Sequence, residues 1–273
     1  MTGIWGIVNV TPDSFSDGGR YIDPERAIAH GLAMRDAGAS VLDVGGESTR
    51  PGAERVDAAV EQQRVLPVIE EFAARGIPVS IDTLNASTAA AAVRAGARIV
   101  NDVSGGLADP EMFSAVAESS ADLAIGHWRG PSDDMYAKAE YHRASREVAG
   151  ELRERVGEAA AAGIAPARLI VDPGIGFAKA GAQNWDVLRG LDDITALGHR
   201  VLIGTSRKRF LTESLRQAQG PDREADVEVD EARKDLATAV TSALAVRHGV
   251  WAVRVHDVAA TRDALAIAEA WEG

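Results

Sequence analysis

Polar residues directly after an apolar run give the first indication of chemistry in this chain. The run Leu169-Ile170-Val171 is followed at once by Asp172-Pro173-Gly174-Ile175-Gly176-Phe177. Glycine allows positive φ angles and a close approach of the backbone to a ligand, while proline fixes φ and removes a backbone donor. A carboxylate, a rigid turn and two glycines therefore stand where a buried strand is expected to end, as in a ligand-binding loop.

Most other apolar runs of the chain also end in polar residues. They are followed by Asn9, Asp43, Asp82, Asn101, Asp102, Ser206, Lys208, Arg254, His256 and Asp257. Each of these alone could be a helix cap or a satisfied loop residue. As a set at the ends of successive strands, they predict an active site on one rim of a barrel.

Four of the polar side chains predict a site for an anion. Asn9, Arg50, Arg254 and His256 follow the first, second and last apolar runs, and the first and last strands of a closed barrel are neighbours. Arginine binds phosphate oxygens through two parallel hydrogen bonds. The amide oxygen of Asn9 is a ligand that Mg²⁺ accepts together with substrate phosphates. The alternative is that Arg254 and Asp257 simply pair with each other.

A second group of polar residues predicts a site for a flat heterocycle. Asp82, Asn101 and Asp172 follow the third, fourth and sixth apolar runs. Carboxylates in a barrel mouth are costly unless they are hydrogen-bonded. A ring with an N–C–NH2 edge would donate to them. The alternative is that they are helix caps and core hydrogen-bonding residues.

A cluster of cations follows the seventh apolar run. The stretch Ser206-Arg207-Lys208-Arg209-Phe210 is expected to open a helix. Backbone N–H groups at a helix start, together with clustered positive charge, form an anion site. The alternative is the basic start of a surface helix.

Eight apolar runs that alternate with helix-like segments are expected to position these groups. The runs are 4–8, 40–44, 79–82, 98–102, 122–126, 169–171, 201–204 and 250–255. Such alternation indicates parallel strands joined by right-handed crossovers. The count of eight favours an α/β fold, a single (β/α)8 TIM barrel over residues 1–273, rather than a doubly wound open sheet. The acidic stretch 220–235 is expected to be a solvated surface loop.

Length and composition limit the class of protein. The 273 residues suit one barrel, which typically needs about 250 residues. The net charge of −12 argues against nucleic acid as a partner. The lack of cysteine excludes disulfides, thiol nucleophiles and cysteine-zinc sites. The start of the chain does not resemble a signal peptide, and no apolar stretch approaches the roughly 18–20 residues of a membrane span. We therefore expect a cytoplasmic protein with no membrane partner.

Seven motifs, in order along the chain, carry a resemblance to a known family. They are 6–19 (GIVNVTPDSFSDGG), 43–53 (DVGGESTRPGA), 81–83 (IDT), 101–105 (NDVSG), 172–177 (DPGIGF), 206–208 (SRK) and 254–258 (RVHDV). In this set the chain closely resembles the dihydropteroate synthases, pterin-binding enzymes of folate biosynthesis and the target of sulfonamides. The match covers nearly the whole chain, and the block 126–129 (GHWR) resembles an actinobacterial branch of the family.

The resemblance implies a transferase reaction and a set of partners. The 6-hydroxymethyl-7,8-dihydropterin diphosphate would lose diphosphate, and the amine of p-aminobenzoate would replace it to give 7,8-dihydropteroate. It further implies Mg²⁺ as cofactor, sulfonamides as inhibitors and a homodimer formed through helices late in the chain.

The resemblance also assigns roles to residues at matching positions. It implies that the pterin is held by Asp82, Asn101, Asp172 and Lys208. It implies that the diphosphate is bound by Asn9, Thr49, Arg50, Arg254 and His256, with Asn9 also coordinating Mg²⁺. It implies a p-aminobenzoate pocket formed by Phe15, Pro51, Ser206 and Arg209, under a closing loop that carries Asp17. The catalytic set would be Asp82, Lys208, Arg254 and His256.

One departure from the family leaves alternatives open. Gly126 stands before His127 where members commonly carry Met, and we expect it to leave a gap in the pterin pocket that Trp128 could fill. A non-catalytic pterin-binding paralogue is one alternative. A methyltetrahydrofolate-dependent methyltransferase domain is another, but it gives no reason for Arg50, Arg254 and a loop that fits a diphosphate.

Overall fold

The computed structural model describes residues 2–11, 23–47, 55–130, 139–218 and 229–273. Eight parallel strands form a closed barrel in which each strand pairs with its neighbours in chain order. The strands are β1 (Gly3–Asn9), β2 (Val41–Gly45), β3 (Val79–Asp82), β4 (Ile99–Asp102), β5 (Asp122–Gly126), β6 (Leu169–Asp172), β7 (Arg200–Ile203) and β8 (Ala252–Val255). Because β8 also pairs with β1 in parallel, the sheet is closed. The predicted barrel is confirmed, and the open sheet is wrong.

Helices connect the strands and cover the outside of the barrel. They are α1 (Pro24–Asp36), α2 (Ala58–Ala74), α3 (Ala86–Arg94), α4 (Met112–Ala117), α5 (Ala144–Ala161), α6 (Gly181–Arg189), α7 (Leu191–Thr195), α8 (Arg209–Gln217), α9 (Glu231–Val246) and α10 (Val258–Glu272). Aspartate side chains at Asp23, Asp57, Asp230 and Asp257 accept backbone N–H groups of the first turns of α1, α2, α9 and α10. These caps explain why the helices begin where they do.

The barrel separates the core into two parts. A small cluster fills its lower interior: Trp5, Val41, Ile99, Ala124, Ile170, Leu202 and Ala252. A larger cluster lies between the outer face of the strands and the helices. Since side chains alternate across a strand, every strand except β3 contributes to both clusters, and β3 contributes Val79 and Ile81 to the larger one alone.

The acidic stretch predicted as a loop is partly helical. The described part of it begins at residue 229, and α9 begins at Glu231. The Asp230 carboxylate accepts the backbone N–H of Arg233 at 2.8 Å, and acidic residues are favourable in the first turn of a helix. The loop prediction is therefore wrong for residues 231–235, where acidic residues belong to a helix start.

Within the described ranges, none of the helices has the length and apolar character needed to cross a membrane.

Candidate active site

The site residues share the inner face of the barrel with the apolar cluster that fills it. Successive side chains of a strand point to opposite faces, so residues two apart share a face. Each of four polar residues lies two positions after an inner apolar residue: Asp43 after Val41, Asn101 after Ile99, Asp172 after Ile170 and Arg254 after Ala252. Strand periodicity therefore places these groups inside the barrel mouth, above its apolar floor.

Arg254 joins carboxylates from two other strands. Its Nε donates to Asp43 Oδ2 and its Nη2 to Asp82 Oδ2. Asn101 Nδ2 also donates to Asp43 Oδ2, at 3.1 Å. Burial opposes the positive charge, but Asp43 and Asp82 together raise the pKa of Arg254 above its usual range. The guanidinium is thus a fixed cation in the mouth, and it pairs with Asp43 and Asp82 rather than with Asp257, the partner in the alternative interpretation.

Asp82 has an unusual pKa for an aspartate. Burial raises its pKa to about 7, the charge of Arg254 opposes this shift, and Asp43 adds to it. The side chain is 8% exposed. A buried carboxyl with a raised pKa at the end of a barrel strand is a candidate functional residue.

Asp172 and Lys208 are two further buried charged residues at the mouth, and the charge of each affects the pKa of the other. Lys208 Nζ donates to the Ile175 carbonyl and lies 4.7 Å from the centre of the Phe177 ring. Burial lowers the pKa of Lys208 to about 8, against the opposing effect of Asp172. Burial also raises the pKa of Asp172, whose Oδ1 accepts the Gly174 N–H at 2.7 Å.

Asp172, Lys208 and Arg254 all lie near Gly204, directly after β7. A Cβ atom at this position would lie 3.9 Å from Asp172 Oδ2, 3.9 Å from Lys208 Nζ and 4.0 Å from the Cβ of Arg254. A longer side chain here would enter the space that these groups surround. The glycine thus leaves the middle of the barrel mouth open to a ligand.

Ser206 and His256 connect the ends of β7 and β8. Ser206 Oγ lies 2.8 Å from His256 Nδ1, and the backbone N–H of His256 donates to the same oxygen at 3.0 Å. Arg209, three residues on, forms an ion pair with Glu213 at 3.0 Å on the exposed side of α8. The structure therefore brings Ser206 and His256 together, and it places the Arg209 guanidinium on the helix surface.

Asn9 lies at the end of β1, where a metal ion could reach it. The residue is half-buried and stands in register with Gly45 of β2. Across the described residues, no group of three or more histidine or acidic side chains could hold a metal ion. One amide oxygen suits Mg²⁺ when water and substrate phosphates supply the other ligands. Asn9 fits that kind of site.

Five of the predicted site residues lie outside the described residues. They are Phe15, Asp17, Thr49, Arg50 and Pro51. Their predicted roles in diphosphate binding, p-aminobenzoate binding and loop closure stay predictions.

Two of the polar residues predicted on the rim serve their own loops instead. Asp102 Oδ1 accepts the backbone N–H and the hydroxyl of Ser104 at 2.8 and 2.6 Å, and its Oδ2 accepts the Gly106 N–H at 2.5 Å. Asp257 Oδ1 accepts the Ala260 N–H at 2.9 Å as the cap of α10. For these two residues the ordinary interpretation, a satisfied loop residue or helix cap, is correct.

Gly126 leaves no gap, contrary to the prediction. A Cβ atom at this position would lie 2.5 Å from both the Cα and the carbonyl oxygen of Val103. The backbone that follows β4 thus occupies the space that a side chain would need. The expected cavity is absent because a neighbouring loop packs against the glycine.

A buried lysine below the Asp172–Phe177 loop was missed from the sequence. Lys179 Nζ lies 2.9 Å from the Gly174 carbonyl, 3.0 Å from the Phe177 carbonyl and 2.9 Å from His127 Nδ1. His127 Nε2 in turn lies 2.9 Å from Glu151. Burial and the Lys179 charge lower the pKa of His127 to about 4, so the neutral ring accepts at Nδ1 and donates from Nε2. The sequence signal that could have identified Lys179 was its position two residues after a glycine-rich binding loop.

Comparison with known proteins places this geometry in a family. The family described as "Pterin binding enzyme" matches residues 5–256. The dihydropteroate synthase of Mycobacterium leprae is 52% identical over 267 residues, which are 97% of this chain and 92% of that protein.

Solved structures of relatives share the whole barrel. The dihydropteroate synthase of Xanthomonas albilineans with 4-aminobenzoic acid has a TM-score of 0.89 at 41% identity, over 100% of this chain and 93% of that one. The Yersinia pestis dihydropteroate synthase in a sulfonamide drug complex has a TM-score of 0.89 at 33% identity, over 99% and 94% of the two chains.

Proposed function

The chain belongs to the pterin-binding enzymes, among the dihydropteroate synthases, and we propose that it joins 6-hydroxymethyl-7,8-dihydropterin diphosphate to p-aminobenzoate. The products are 7,8-dihydropteroate and diphosphate. The observation that carries this proposal is the open mouth at Gly204, around which Asp172, Lys208 and Arg254 converge.

The pterin is held by the inner polar residues. Its N–C–NH2 edge donates to carboxylate oxygens, for which Asp172 and Asp82 are the available acceptors at the mouth. Asn101 lies beside them, bonded to Asp43. Lys208, fixed by the Ile175 carbonyl, donates to acceptor atoms of the ring. Buried groups with such raised or lowered pKa values are the usual means of orienting a polar heterocycle.

The diphosphate is bound by groups at the ends of β1, β2 and β8. Arg254 and His256 supply donors, and Asn9, Thr49 and Arg50 complete the set. Because two carboxylates keep Arg254 charged, it can neutralise the charge that grows on the leaving group, which is electrostatic stabilisation of the transition state. Mg²⁺, held by Asn9 and the phosphates, would supply further neutralisation of the same charge.

The chemical step is a dissociative substitution at the exocyclic carbon of the pterin. The C–O bond breaks, and its electron pair leaves with diphosphate. The ionised Asp82 carboxylate stabilises the positive charge left on the dihydropterin. The amine nitrogen then forms the new C–N bond, and one amine proton passes to solvent or diphosphate. A loop that carries Asp17 closes over the site and keeps water from the cation.

The second substrate lies beside the start of α8. Its carboxylate meets backbone N–H groups near Ser206 and Arg209, which a helix start offers to anions. Phe15 and Pro51 cover its ring. Sulfonamides carry the same arylamine, so we propose that they compete with p-aminobenzoate for this position.

The assembly is proposed to be a homodimer in the cytoplasm. Exposed apolar side chains follow one face of two adjacent helices: Leu236, Val240 and Leu244 on α9, and Ile267 and Trp271 on α10. We call this set the α9–α10 face. Large exposed apolar patches mark interaction sites, and a second copy of the chain is the partner that the family resemblance implies.

A product assay tests the proposed reaction. The purified protein is incubated with the dihydropterin diphosphate, p-aminobenzoate and Mg²⁺, and dihydropteroate is measured by mass, with EDTA as control. Product that disappears with EDTA supports both the reaction and the metal. Pterin binding without product would contradict the proposal and indicate a non-catalytic paralogue.

A further inference from the structure

Arg207 has a backbone conformation that arginine rarely adopts. It stands between Ser206 and Lys208 with φ of 56°. Within the described residues, Ala178 alone among non-glycine residues shares a positive φ. This left-handed region brings Cβ too close to the following carbonyl, and such conformations persist only where the surroundings impose them.

Both the side chain and the backbone N–H of Arg207 contact α9. Arg207 Nε and Nη2 donate to the two oxygens of Asp235 at 2.7 and 2.8 Å, and Nη1 lies 2.9 Å from Glu231. The backbone N–H of Arg207 donates to Thr238 Oγ1 at 3.1 Å. Bidentate arginine–carboxylate pairs fix geometry as well as charge. The side-chain exposure of Asp235 is only 10%, so solvent screens this pair less than a surface pair.

The position of Arg207 corrects the prediction of a cationic cluster after β7. Its guanidinium pairs with Asp235 and Glu231 of α9. The residues on either side of Arg207 contact other groups instead. Ser206 contacts His256, and Lys208 contacts the Ile175 carbonyl.

We propose that Arg207 is a positioning residue for the synthase reaction. Its pair with Asp235 holds the left-handed turn that directs Ser206 and Lys208 into the mouth. This inference rests on the proposed binding roles of Ser206 and Lys208. Without the pair, a side chain at position 207 favours the ordinary right-handed or extended backbone, which rotates both neighbours out of the site.

Two substitutions separate positioning from a surface ion pair that only adds stability. Arg207→Ala removes the pair but keeps the Cβ atom that makes a positive φ unfavourable, whereas Arg207→Gly removes both the pair and that Cβ atom. We expect kcat/KM for p-aminobenzoate to fall about tenfold or more in the alanine variant, mainly through KM. The glycine variant should recover most of that loss, because glycine adopts positive φ without cost.

Asp235→Asn provides the second half of the test. In the wild-type background this substitution weakens the bidentate pair between Arg207 and residue 235. We therefore expect kcat/KM for p-aminobenzoate to fall about tenfold. In the Arg207→Gly background, the same substitution should change kcat/KM by less than about twofold, because the interaction is already gone. Arg75→Lys is the matched control, since Arg75 pairs with Glu71 at 2.7 Å on an exposed surface after α2.

Equal kcat/KM in the Arg207→Ala and Arg207→Gly variants would overturn the proposal, as would an equal effect of Asp235→Asn in both backgrounds. Crystal structures of the two Arg207 variants give a readout that needs no turnover. The 2.8 Å contact between Ser206 and His256 should be lost with alanine and kept with glycine. A wild-type protein that makes no product would therefore refute the proposed function, while this contact would still decide the role of Arg207.

Discussion

At the scale of single residues, we expect Asp82 and Lys208 to determine how the reaction rate responds to pH. Burial raises the pKa of Asp82 to about 7 and lowers that of Lys208 to about 8. The proposed reaction uses ionised Asp82 and protonated Lys208. We therefore expect a bell-shaped profile of kcat/KM against pH with its maximum between about 7 and 8. A profile that is flat from pH 6 to 9 would exclude both groups from the reaction.

Asp82→Asn should abolish the acidic limb of that profile. The folded-state pKa of Asp82 lies above its ordinary value of 3.8, so its ionisation makes folding less favourable as the pH rises from about 4 to 7. Asparagine avoids that cost and can still accept from Arg254, so we expect the fold to survive. Turnover should fall by about 100-fold or more, because the carboxylate that stabilises the cation is lost. Near-normal turnover with an unchanged melting temperature would remove Asp82 from the mechanism.

Gly126→Met should destabilise the protein rather than improve pterin binding. The new Cβ would lie 2.5 Å from backbone atoms of Val103, and such overpacking costs about 1–3 kcal/mol. Thermal unfolding with and without pterin checks this expectation. Gly150→Ala and Gly157→Ala are matched controls, because nothing lies within 4 Å of a Cβ at either α5 position, and alanine favours a helix. A melting temperature for Gly126→Met equal to wild type would contradict the packing argument.

At the scale of elements, the loop between β6 and α6 depends on one buried side chain. Lys179 Nζ contacts the carbonyls of Gly174 and Phe177 and the ring of His127. Lys179→Met fills the same space but leaves those acceptors without a donor, and each buried unsatisfied group costs about 1–3 kcal/mol. We expect a lower melting temperature and a higher KM for the pterin, because the loop carries Asp172. Lys234→Met on α9 is the control. An unchanged KM for the pterin would show that the lysine does not shape the loop.

The alternating side chains of the strands explain which parts of the site the sequence could predict. Polar residues that follow short apolar runs must share one face and one rim once the strands are parallel, so Asp43, Asn101, Asp172 and Arg254 follow from local pattern alone. The helix start at Glu231 was missed because its acidic residues suit a solvated loop equally well.

Contacts between distant parts of the chain could not be predicted in the same way. Lys179 meets His127 across 52 positions, and Arg207 meets Asp235 across 28. No local rule pairs such residues, because their distance depends on how the closed barrel arranges its loops and helices. The packing of Val103 against Gly126 likewise depends on how the barrel arranges its loops. Sequence patterns indicated which residues line the site, and the three-dimensional structure was needed to show what holds them.

At the scale of the whole molecule, the α9–α10 face would link the proposed dimer to the site. Helix α9 carries exposed Leu236 beside buried Asp235, so the helix that anchors Arg207 also presents the apolar face. Burial of that face against a second copy would hold α9 in place. The proposed dimer and the proposed geometry at Ser206 and Lys208 therefore depend on the same helix.

Leu244→Glu should convert the dimer to a monomer. Leu244 is 54% exposed in the single chain, and a symmetric interface would bury two copies of it. Burying a leucine contributes about 1.5–3 kcal/mol, and the substitution replaces that gain with the desolvation of two carboxylates.

Sedimentation should give twice the chain mass of 28.7 kDa for the wild type and the mass of one chain for the Leu244→Glu variant. Leu107→Glu is the matched control, since Leu107 is 50% exposed in the loop after β4, on the opposite side of the closed barrel from β8, and should leave the proposed dimer intact. A dimeric Leu244→Glu variant would place the interface elsewhere, and a monomeric wild type would refute the dimer itself.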